Sequence, residues 1–186
     1  MEPHSETATL EREQVLSLWL YPDGPFPNNP TLPVLVYHRA FDLSGADPAR
    51  LIERTFASNG WCNGWCNGWR NGVYPFHHFH STAHEVLGCY RGQAALQLGG
   101  PGGPLISIAC GDVIVIPAGV SHRSELSSSD FAVVGSYANG AQWDMQSGES
   151  DDRAAITERI ARVALPEADP VHGASGPLLQ HWRGGG

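Results

Sequence analysis

The chain has 186 residues, enough for one domain. Folding at this length removes about 70 % of the unfolded chain's surface from water, so a single core needs no covalent or metal staple. Nineteen acidic against eleven basic residues leave a formal charge of −8, which repels phosphate backbones and anionic lipid and excludes nucleic acid and membrane surfaces as partners.

Met1 to Arg12 lacks the basic start and apolar run of a secretory signal. Residues 1–13 have no apolar period and read as a frayed tail, followed by one domain over 14–182 and a second short tail over 183–186. Val15 to Tyr21 reads as a first strand, with Leu16, Leu18 and Leu20 on one face. Tyr21 to Pro33 contains Pro22, Pro25, Pro27, Pro30 and Pro33. So many missing N–H donors predict an irregular arm. Val34 to Tyr37 resumes an extended run. Asp47-Pro48 then offers an N-cap with proline at the first helical position, and the apolar spacing of Leu51, Ile52 and Phe56 predicts a short helix ending near Asn59-Gly60.

An internal repeat follows, Asn-Gly-Trp-Cys twice and then Asn-Gly-Trp-Arg. Its glycines cost about 1 kcal/mol each in a helix, so turns and loop are expected. Cys62 and Cys66 have the spacing of half a zinc site. No second closely spaced pair completes it, and with Cys89 and Cys110 they read as free thiols of a cytoplasmic protein. Short strand-like runs then recur through Val73–Phe79, Glu85–Tyr90, Ala94–Leu98, Leu105–Ala109, Val113–Ile116 and Phe131–Tyr137, the pattern of an all-β sandwich or barrel. Ser150 to Val163 predicts a second helix, capped by Ser150 and stopped before Pro166, with Ile156, Ile160 and Val163 on one face. The remainder is loop-like, with Leu178, Leu179 and Trp182 able to dock on the barrel.

Histidine is dense between Phe76 and Glu85. In a strand His78 and His80 project to one face, and His77 and Phe79 to the other. Ser81-Thr82-Ala83 supplies a turn that resets the parity, so a hairpin brings Glu85 back beside the two histidines. His122 follows the buried run Val113–Ile116 and its Pro117 to Gly119 turn. Two nitrogens and a carboxylate suit iron, manganese, nickel, cobalt or zinc better than calcium. His77 and His84 have outward parity and read as rim or exposed histidines.

The spacing Gly72-x5-His78-x-His80-x4-Glu85-x6-Gly92 resembles the first cupin motif without a departure. Gly111-x5-Pro117-x-Gly119-x2-His122 resembles the second, with Leu126 where that motif ends in asparagine. Pro27-Asn28-Asn29-Pro30, Trp69-Arg70-Asn71-Gly72, His84 to Gly88 and Asp169-Pro170-Val171 are similar to the bacterial YjlB-type cupins. The resemblance implies a single-domain, conical antiparallel β-barrel of double-stranded jelly-roll type with short flanking helices. It also implies one divalent transition metal on His78, His80, Glu85 and His122, with two octahedral positions left for water, dioxygen or substrate. A metal-dependent, dioxygenase-like oxidoreductase acting on a small organic molecule is the expected function, and a homodimer the expected assembly. The alternatives are a non-catalytic metal or small-molecule binder and a redox-neutral decarboxylase or isomerase. Arg70, Cys89, Gln97 and Tyr137 are candidate pocket groups, Arg70 being suited to a substrate carboxylate.

Overall fold

The computed structural model describes residues 14–63, 68–150 and 152–184. Two antiparallel sheets carry the fold. The large one has the order β1 (Gln14–Leu20), β2 (Asn29–His38), β8 (Val113–Ile116), β5 (Glu85–Arg91), β10 (Ala132–Ala138), β3 (Trp61–Cys62), and β4 (Trp69–Asn71) also pairs with β10. The small one runs β7 (Leu105–Ala109), β6 (Gln93–Leu98), β9 (His122–Ser127). This is the antiparallel jelly roll that the motif resemblance leads one to expect. No continuous ladder among the described residues closes the two sheets into a sealed barrel. At the site end the segment that carries His78 joins the small sheet through the isolated bridge between His78 and His122.

Strand alternation sorts the core into two layers. Ile114 and Ile116 of β8, Val34 and Val36 of β2 and Leu87 of β5 face Leu96, Leu98 and Ile108 across the space between the sheets. Their neighbours Val113, Val115, Leu35, Tyr37 and Val86 face outward, where α1 (Pro48–Ser58) and α3 (Pro177–Arg183) cover them with Ile52, Phe56, Leu178 and Trp182. Strands buried on both faces read as unbroken apolar runs, as Val113 to Ile116 does. Gly88 lets α1 approach this outer face, since a Cβ there stands 2.7 Å from Ile52 and 3.0 Å from Phe56. The first helix forms as its capping residues require: Asp47 Oδ1 accepts from Arg50 N at 3.1 Å, with Pro48 in the first turn.

Several expectations are corrected. β2 begins at Asn29, so Pro30 and Pro33 lie in a strand. They are tolerated because the β1–β2 register breaks between Leu18 and Leu20 and the pairing with β8 starts only at Leu35. Val73–Phe79 forms no continuous strand; only His78 and Phe79 make isolated bridges, to His122 and Gln146. β9, with the polar sequence His-Arg-Ser-Glu-Leu-Ser, is a strand without an apolar alternation to announce it. The second helix, α2, spans Arg153–Ala161 and is capped by Asp152, whose side chain accepts from Ala155 N, while Ser150 Oγ accepts from Asp152 N. Leu178 and Trp182 dock as expected, but on a helix that runs to Arg183. The tail 1–13, Cys66 and Gly185 to Gly186 lie outside the described residues.

Candidate metal centre

Three histidine nitrogens and one carboxylate meet in a buried pocket. His78 and His122 exchange both backbone hydrogen bonds, at 3.2 and 2.9 Å, which sets their rings 4.2 Å apart. His80 is held by the bond from Gly119 N to its carbonyl, 2.8 Å. Glu85 opens β5, opposite Tyr137 of β10 and Ile116 of β8. It therefore does not return on a hairpin paired to the His78–His80 segment. His78 bridges to His122 of the small sheet and the carboxylate arrives from the large one, so the site spans the gap between them. All four side chains are at most 5 % exposed.

The second nitrogen of each ring determines the tautomer. His78 Nδ1 lies 3.1 Å from Phe76 O, His122 Nδ1 lies 3.1 Å from Val120 O, and His80 Nδ1 makes a short contact to Asp144 O. A carbonyl only accepts, so each Nδ1 carries a proton and, in the neutral ring, each Nε2 offers a bare lone pair. These ligand atoms of the three histidines all lie within 4.8 Å of one another. Glu85 Oε2 stands 3.1 Å from His122 Nε2 and 3.4 Å from His80 Nε2. It is buried and finds no hydrogen-bond donor. Neighbouring ligands of a cation with bonds of ~2.1 Å stand about 3.0–3.4 Å apart. Lone pairs converging at this spacing fit a cation.

The charges respond to this enclosure. Burial holds the His78 imidazole down at about 3. For His80 burial works in the same direction, yet the Glu85 carboxylate outweighs it and the pKa is raised. Burial would lift the Glu85 carboxyl, but His80 and His122 hold it well below the usual carboxylate range. Proton and cation thus compete for one set of lone pairs.

The centre lies on the floor of a cavity of about 230 Å³ lined by Trp69, Tyr74, Leu87, Tyr137, Trp143 and Met145 among others. Tyr137 is 2 % exposed, and its hydroxyl accepts from Trp69 Nε1 at 3.2 Å. Arg70 also lines the cavity, but its guanidinium donates from both Nε and Nη2 to the Glu53 carboxylate at 2.7 Å, and is spent there. Cys89 lies deeper, in the core between the sheets. Its thiol faces Arg91 O at 3.3 Å and is pushed up to about 12 by burial. Gln97 does not line the cavity; it donates to Pro101 O at 2.8 Å and accepts from Arg123 Nε at 3.0 Å. His84 is 1 % exposed rather than rim-like: its Nδ1 accepts from Ala118 N at 2.9 Å, its ring packs on Trp182, and burial lowers it to about 4. His77 is half-buried beside Ser121 Oγ.

The sequence reading missed the strap that follows β10. Trp143 and Met145 line the cavity, and between them the Asp144 carboxylate accepts from Ser81 N at 2.6 Å, from Thr82 Oγ1 at 3.2 Å and from Gln146 Nε2 at 2.8 Å. Burial opposes these bonds, and together they keep Asp144 below its ordinary pKa. No periodicity marks such a loop; the only local signal is the turn dipeptide Asn139-Gly140, where Asn139 has φ 57°.

No family model matches the sequence. The uncharacterized protein YjlB of Bacillus subtilis (strain 168) is 40 % identical over 174 residues, which cover 93 % of this chain and 99 % of that one. Among solved structures, the 11S globulin procruciferin of Brassica napus is 18 % identical at a TM-score of 0.34, covering 71 % of this chain and 26 % of its own. Salicylate 1,2-dioxygenase from Pseudoaminobacter salicylatoxidans is 11 % identical at 0.26, covering 72 % and 31 %. The chain thus spans about a third or less of these two structures, whereas it matches YjlB end to end. By that match, and by the cupin motifs and jelly roll described above, the chain belongs to the YjlB family of cupins.

Proposed function

We propose that the protein is a metal-dependent oxidoreductase, dioxygenase-like, that acts on a small organic molecule with one divalent transition metal (iron, manganese, nickel, cobalt or zinc) held by His78, His80, Glu85 and His122. The observation that carries this reading is the convergence of three Nε2 atoms and the Glu85 carboxylate on the floor of an accessible cavity. Four protein donors leave two of six octahedral positions for exogenous molecules, the arrangement of a working rather than a structural centre. A redox-active cation there supplies Lewis acidity and electrons for dioxygen chemistry. The protein's own groups orient and exclude. The three backbone carbonyls fix the imidazoles, Trp69 and Trp143 shield the floor from water, and Tyr137 presents a hydroxyl beside Glu85.

Glu85→Gln keeps the shape of the site and removes its only anionic donor. After anaerobic loading with Fe(II), Mn(II) or Ni(II), small carboxylates and phenols are screened for oxygen uptake. Wild type should consume oxygen with its substrate, and Glu85→Gln should retain its fold and some metal yet lose that uptake. Tight ligand binding by wild type with no oxygen uptake and no product under any of these metals overturns the oxygenase reading and promotes the binding or redox-neutral alternatives. We also read the protein as a cytoplasmic homodimer. Support for the setting comes from the thiols of Cys89 and Cys110, which face backbone carbonyls. Support for the pairing comes from the edge strand β1, whose Leu16 and Trp19 are exposed.

A further inference from the structure

The walls of the cavity have a composition the proposed chemistry does not itself require. Tyr137 and Trp143 stack at 5.8 Å with their planes 21° apart, and both meet His80 edge-on, at 5.6 and 5.5 Å. Tyr74 stands edge-on to His78 at 5.3 Å. Trp69 completes the wall through its bond to Tyr137. Around the mouth Tyr74, Trp143 and Met145 leave 47, 42 and 39 % of their surface in water, an apolar rim of the kind that marks a binding site. At about 230 Å³ the space falls below the ~300–1,000 Å³ of pockets for drug-sized ligands. It suits one ring.

Charge narrows the class further. Arg70 is the one cationic side chain lining the cavity among the described residues, and Glu53 neutralises it with a bidentate pair. The walls therefore offer no unpaired cation to a negative charge carried away from the floor, and an unpaired charge is costly to bury. At the floor, three neutral imidazoles, one carboxylate and a divalent cation leave one net positive charge. A single anionic group balances it.

Resting on the metal reading above, we infer that the cavity takes a flat, single-ring aromatic molecule that presents one anionic oxygen group to the centre, and that it rejects a second charge on the far side of the ring. Trp143 is the main determinant of the ring preference, because it is stacked on Tyr137 and is held over His80 by the strap. Its partial exposure means that truncation leaves the core intact.

Calorimetric titration of cobalt(II)-loaded protein with benzoate, cyclohexanecarboxylate and terephthalate separates flatness from charge. Benzoate should bind about tenfold tighter than the puckered ring of like charge, the scale of one good aromatic contact. Terephthalate should bind at least about tenfold more weakly than benzoate, and Trp143→Ala should bring benzoate and cyclohexanecarboxylate to about equal affinity. The visible spectrum of cobalt(II) reports separately whether the cation is seated. If it is not, the metal reading alone falls, and the ring proposal is decided on metal-free protein with the neutral pair phenol and cyclohexanol. A phenol preference that Trp143→Ala abolishes sustains it. Equal affinity for flat and puckered rings, terephthalate bound as tightly as benzoate, or a preference that survives Trp143→Ala overturns it.

Discussion

Burial on one side and the Glu85 carboxylate on the other set opposite protonation habits on histidines only a few residues apart. His78 and His84, pushed down to about 3 and about 4 by desolvation, refuse protons that the unfolded chain accepts near pH 6.5. Their contribution to stability is therefore whole above about pH 6.5 and declines as pH falls toward the folded values. His80 acts in reverse: its pKa is raised, so its contribution is whole below about 6.5 and lost as pH rises through the folded value. Two depressed histidines outweigh one raised one. The metal-free protein should thus show a lower urea midpoint at pH 5 than at pH 7. The cobalt-loaded form should fall more steeply, because acid also releases the cation. A midpoint indifferent to pH over this range would show that the penalties on His78 and His84 do not exceed the opposing contribution of His80.

Among the elements, the strap over residues 142–146 couples pocket wall and centre. The Asp144 carbonyl accepts a hydrogen bond from His80 Nδ1 while its carboxylate ties the strap to Ser81 and Thr82, with Arg159 of α2 donating to Ser81 Oγ at 3.0 Å. Partners of this kind are worth about 10–100-fold in metal affinity. Asp144→Ala should weaken cobalt binding by about tenfold and make tryptophan fluorescence more accessible to acrylamide, with cooperative unfolding retained. Unchanged affinity and unchanged quenching would reduce the Asp144 carboxylate to a surface ornament of the loop. Gly135 shows the same dependence on close fit, since a Cβ there falls 2.1 Å from the Trp69 ring.

For the whole molecule the outer edge of β1, which no other strand pairs among the described residues, bears on assembly. A free strand edge recruits a second strand unless charge, proline or a bulge blocks it. β1 carries no charged residue and no proline, and its bulge sits between Leu18 and Leu20 near one end. Light scattering at micromolar concentration should give twice the 20.0 kDa chain mass, and Ser17→Pro, placed in the middle of β1, should shift it toward monomer. A monomer in wild type sinks the edge-pairing expectation.

The sequence by itself determined the fold class, because strand alternation and the Asp47-Pro48 cap are local rules that tertiary contacts did not override, and its motif spacing singled out His78, His80 and His122, whose ring nitrogens cluster, together with Glu85 of the proposed ligand set. Only the tertiary structure decided which sheet delivers each donor, that Arg70 is spent on Glu53, that His84 is buried against Trp182 and that Trp143 and Asp144 frame the centre. These depend on pairs far apart in the chain, such as Ser81 with Asp144, and on polar or proline-bearing segments such as β9 and the start of β2. Their conformation is imposed by neighbouring strands, and no periodicity of their own encodes it.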